Sequence, residues 1–107
     1  MEDYSAAAKT MIELHQLQKP TCDTLNKLGT AFYKSGQISN SIDTFLTHEK
    51  TFPESAIGPA SLAEIYLNAE DYASVYRHIA SAKAILKEHP NESVQEDIQR
   101  LKTEHRL

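Results

Sequence analysis

The sequence is short of most features that carry chemistry. It has one cysteine, Cys22, among 107 residues, so no internal disulfide can form, a state suited to a reducing compartment. No apolar run approaches the ~20 residues that a membrane-spanning helix needs. Lys and Arg number 11 and never stand three together, against 15 Asp and Glu and a net charge of −4. That balance argues against nucleic-acid binding, which needs a clustered basic surface to displace counterions. The chain opens on Met1, Glu2 and Asp3, not on the charged-then-apolar pattern of a secretion signal. These absences give the expectation of a cytoplasmic protein without membrane insertion. No stretch alternates apolar and polar residues as a half-buried strand does. No Gly-rich phosphate loop and no nucleophile elbow are present. His15, His48, His78, His89 and His105 are nowhere four residues apart, and none has a zinc-type companion spacing. Solvated or capping roles are expected for the histidines, with His48 set apart as a candidate for a partly buried, pH-sensitive contact; a structural role is expected for Cys22, and no metal, cofactor or catalytic set.

What is present is a period. An offset of 34 residues carries Tyr4 onto Ile38 and Tyr72, Ala7 onto Ser41 and Val75, and Met11 onto Phe45 and Ile79. The same offset pairs Leu28 with Leu62, Gly29 with Ala63 and Phe32 with Tyr66. A fixed period of this size indicates stacked supersecondary units, which form binding surfaces more often than active sites. Apolar content of 40% and charged content of 24% fit one soluble domain with a core of its own.

The pattern predicts about six helices. The first runs from Asp3 to Leu17 with Tyr4, Ala7, Met11 and Leu14 on one face, and Lys19-Pro20 ends it. Thr21 caps a second, with Leu25, Leu28 and Phe32 inward. Ser35-Gly36 makes a corner. A third helix, from Ile38 to Lys50, places Ile38, Ile42, Phe45 and Leu46 inward and stops at Phe52-Pro53. Ser55 caps a fourth, which ends near Asn68. Ala69-Glu70-Asp71 is the next corner, and the fifth helix buries Tyr72, Val75, Tyr76, Ile79, Ala82 and Leu86. Asn91 caps a last helix with one narrow stripe of Val94, Ile98 and Leu101, as expected where a helix covers the end of a stack.

Leu25, Leu28-Gly29, Phe32, Gly36, Ile38, Ser41, Phe45 and Pro53 together resemble the tetratricopeptide repeat. Leu62-Ala63, Tyr66, Tyr72, Ile79 and Ala82 repeat the match. His48 departs from it where a small residue is usual, Glu70 replaces the turn glycine, and Pro90 comes three residues late. The late proline predicts a fifth helix nearly a turn longer than the third. The resemblance implies an all-α fold, a right-handed α-α superhelix of helical hairpins. It divides the single domain into a half repeat at 1–20, repeats at 22–55 and 56–90, and a capping helix at 91–107.

The resemblance also implies a function. In that family the first helix of each hairpin lines a concave groove that binds a peptide or helix of a partner protein. Carried onto this chain, the groove comprises Asn26, Thr30, Tyr33 and Lys34, then Glu64, Leu67 and Asn68, and Gln95, Gln99 and Lys102 from the last helix. Tyr33 and Leu67 are its expected exposed apolar contacts. Asn26 and Thr30 stand where a carboxylate clamp needs Lys and Asn, so binding of an acidic chaperone-type tail is not expected. A half repeat at the start suggests a second reading, a small chaperone-like subunit that completes its stack with another chain, by self-association or a dedicated partner. A histidine phosphotransfer or metal-binding helical domain is the remaining alternative, with Arg77-His78 the candidate for phosphotransfer.

Overall fold

A computed structural model of the chain describes residues 21–105. Among them are five α-helices and no strand: α1 (Cys22–Lys34), α2 (Ile38–Thr51), α3 (Ile57–Asn68), α4 (Tyr72–Glu88) and α5 (Glu92–His105). The helix expected over Asp3 to Leu17 lies outside the described residues. α1 packs on α2 and α3 on α4, each pair a hairpin, and α2 lies against α3. α3 also touches α1 and α5.

The helices begin and end for local reasons. The Thr21 hydroxyl accepts from the Thr24 N–H at 3.1 Å, and the Thr24 hydroxyl accepts from the Thr21 N–H at 2.9 Å. This reciprocal pair satisfies donors that the first turn leaves open. Asp71 and Asn91 cap α4 and α5 through Ser74 N–H (3.3 Å) and Val94 N–H (3.2 Å). Ser55 accepts from the Ile57 N–H at 3.3 Å, ahead of α3.

The 34-residue period reappears in the corners. After α1, the Gln37 N–H donates to the Phe32 carbonyl at 2.8 Å and Gly36 N–H to Tyr33 at 3.1 Å. After α3, Asp71 N–H donates to Tyr66 at 2.9 Å and Glu70 N–H to Leu67 at 3.0 Å. Both corners need one left-handed residue, Gly36 at φ 85° and Glu70 at φ 60°. α4 has 17 residues against 14 in α2, as the late Pro90 requires.

Packing follows the same register. Leu25, Leu62 and Val75 are fully buried, and each Leu contributes roughly 1.5–3 kcal/mol relative to exposure. Phe45, Leu62 and Ile65 join the hairpins. Ser41 donates to the Gly29 carbonyl at 2.7 Å in the seam between α1 and α2. A larger cluster links α3, α4 and α5 through Ala63, Ile79, Ala82, Val94 and Leu101.

Four inward expectations are corrected. Tyr72 is 48% exposed, Tyr76 54%, Leu46 42% and Ile38 38%. Ile38 and Tyr72 open their helices at equivalent corners. Tyr76 points away from the Val75–Ile79–Ala82 stripe, to a side of α4 that α5 leaves uncovered.

Candidate functional site

Asn26, Thr30, Tyr33 and Lys34 recur at helical spacing and so share one side of α1. Two adjoining clefts run along this side. One, of about 170 Å³, is lined by Thr30, Tyr33, Lys34, Phe45, Ser61, Glu64 and Ile65. The other, of about 240 Å³, takes Asn26 from α1, Ser61 and Glu64 from α3, and Asn91, Val94 and Asp97 from the start of α5. Ser61 and Glu64 belong to both, so the clefts form one groove across α1, α3 and α5.

Polar contacts tie its walls together. The Asn68 amide donates to the Tyr33 hydroxyl and joins α3 to α1. Arg100 reaches Glu64 at 3.6 Å, Asp97 at 3.8 Å and Glu104 at 3.7 Å. These side chains are about half exposed, so each pair contributes little to stability, of order 0–1 kcal/mol. The network links α5 to α3, and the groove is lined by amides, hydroxyls, carboxylates and the Lys34 ammonium beside the Tyr33 ring.

Other expected groove residues lie elsewhere. Leu67 is buried at 6% exposure and cannot serve as an exposed contact. Gln95, Gln99 and Lys102 line a separate furrow between α4 and α5. Val94, Asp97 and Leu101 take their place on α5. The signal for these was the late Pro90. The three added residues make the α3-to-α5 offset 37, which maps Ile57, Ala60 and Glu64 onto Val94, Asp97 and Leu101, the set that faces the cleft.

A second constellation was not legible in the sequence. Cys22 Sγ lies 3.1 Å from His48 Nε2 and 3.7 Å from Ser55 Oγ. The hairpin brings together residues 26 and 33 apart in sequence. His48 is fully buried, its Nδ1 has no partner, and its ring meets Phe52 edge-on at 5.6 Å. Burial pulls the His48 pKa below its ordinary 6.5 and favours the neutral ring, against hydrogen bonds that raise it. His78 stacks on Tyr66 at 5.4 Å and sits 3.7 Å from Glu49. Its pKa is also lowered, by burial first, and Glu49 partly offsets this. Among the described residues no three His, Cys, Asp or Glu groups converge as a metal site, and no helix is long and apolar enough to cross a membrane.

No protein-family model, no curated protein and no solved structure matches this chain.

Proposed function

We propose that the chain is a protein-interaction module, a short right-handed pile of tetratricopeptide-like hairpins that holds a peptide or helix of a partner protein across α1, α3 and α5. One observation carries the reading. Asn26, Thr30, Tyr33, Lys34 and Glu64 converge on one continuous groove. An aromatic ring amid amides and carboxylates is a common composition for a recognition surface. The recurrence of the corner hydrogen bonds at 34 residues supports the repeat architecture.

The groove chemistry narrows the ligand. Glu64 and Asp97 place two carboxylates in it, both of them paired with the single guanidinium of Arg100. A segment offering amide donors or a basic side chain fits, and an acidic C-terminal tail meets like charge. The test is recovery of partner proteins on the full chain and on a Tyr33→Ala, Glu64→Lys variant. Loss of the partner, at least about tenfold, from a chain that keeps its helical circular dichroism despite the lost Tyr33 packing is the expected result. Equal recovery on both forms contradicts the reading.

A further inference from the structure

We propose that the furrow between α4 and α5 is a second docking site, for an acidic amphipathic helix of a partner protein. Its walls are two helical stripes. Tyr76, Ala80, Lys83 and Lys87 follow one another along α4 at spacings of about one turn. Gln95, Ile98 and Lys102 do the same on α5. Two facing stripes of this kind form a seam for a third helix. The furrow has volumes of about 460 and 340 Å³ in two parts that share Lys83 and Lys102. From Tyr76 to Lys87 it runs roughly 16 Å, the length of three helical turns. Its floor is apolar, with Ile79, Leu86 and Ile98, and Tyr76 stands half exposed at one end.

Charge selects the occupant. The chain as a whole carries −4, yet every charged residue lining the furrow is a lysine. Among the described residues none of the three lysines has a carboxylate partner. Lys83 and Lys102 face each other closely enough that Lys102, by hydrogen bond and by charge, holds the Lys83 ammonium below the usual lysine range. A carboxylate placed between two such ammonium groups relieves their repulsion. A helix with leucines or similar residues on one side and Glu or Asp along its edges satisfies floor and rim together. The site is independent of the groove across α1, α3 and α5, which carries carboxylates.

The experiment is an NMR titration of the full, ¹⁵N-labelled chain. The probe is a helical peptide of about 16 residues, long enough to cover three turns, with leucines along one face and glutamates elsewhere. Its counterpart with lysine for glutamate, and phosphatidylserine–phosphatidylcholine vesicles, are run beside it. The glutamate peptide is expected to shift resonances of α4 and α5. Lys83→Glu with Lys102→Glu is expected to weaken it at least about tenfold, as is a rise from low to high salt. If that pair unfolds the chain, Lys87→Glu with Gln99→Glu serves the same purpose. Equal binding of the lysine peptide overturns the proposal. So do shifts confined to α1 and α3, binding to the vesicles alone, or a furrow already closed by a second copy of the chain. Loss of partner recovery at Tyr33 and Glu64 leaves this result untouched, so the two sites fail separately.

Discussion

A Cβ built on Gly29 would stand 2.6 Å from the Phe45 ring, well inside van der Waals contact. The residues 34 further on are Ala63 and Ile79, both buried in the core that joins α3, α4 and α5. One seam thus combines no side chain with a large ring, and the other a methyl group with a smaller branched chain. This trade of volume keeps both hairpins tightly packed. Gly29→Ala is expected to cost about 1–3 kcal/mol by overpacking, and Phe45→Ile a similar amount by leaving a cavity. The double variant is expected to recover much of the loss, because each change makes room for the other. Denaturant melts of the four proteins measure this, and strictly additive losses contradict it. The Leu28-Gly29 and Phe45 spacing makes this seam legible in the sequence. The Cys22–His48 contact was not, since neither residue carries a mark of the other and only the angle of α2 against α1 brings them together.

At the scale of elements, the corners show what the chain tolerates. Gly36 adopts its left-handed φ without a Cβ penalty, while Glu70 holds the equivalent position with a side chain exposed to solvent. The left-handed region costs an L-residue roughly 1–2 kcal/mol, and glycine offsets part of that through its greater unfolded entropy. Glu70→Gly is therefore expected to stabilise the chain by about 0.5–1 kcal/mol, read as a higher denaturation midpoint with an unchanged slope. A lower midpoint would show that Glu70 makes a contact worth more than its strain. Helix limits were legible because Pro, Gly and capping residues act locally. The extra length of α4 was legible from one proline. The exposure of Tyr72 and Tyr76 was not, because helical period tells which residues share a side and not whether another element covers that side.

The described residues present two surfaces of unlike lining, a groove with Glu64, Asp97 and Lys34 and a furrow whose charged residues, Lys83, Lys87 and Lys102, are all lysines. Their separation follows from the register. The resemblance to the tetratricopeptide repeat implied Asn26, Thr30, Tyr33 and Lys34 on α1 and Glu64, Leu67 and Asn68 on α3, and of these Asn26, Thr30, Tyr33, Lys34 and Glu64 line the groove. The three residues gained before Pro90 turn the next helix by about 300°. Gln95, Gln99 and Lys102 consequently lie in the furrow, while Asp97 faces the groove and Arg100 pairs with Glu64. Recognition at the groove is the central claim. A photo-crosslinking residue placed at Thr30 tests it most directly, with one at exposed Thr47 on α2 as the control. The account predicts that a partner protein is captured from position 30, that its crosslinked peptide carries amide or basic residues, and that position 47 captures none of it. Capture from position 47 in preference to position 30 would contradict it.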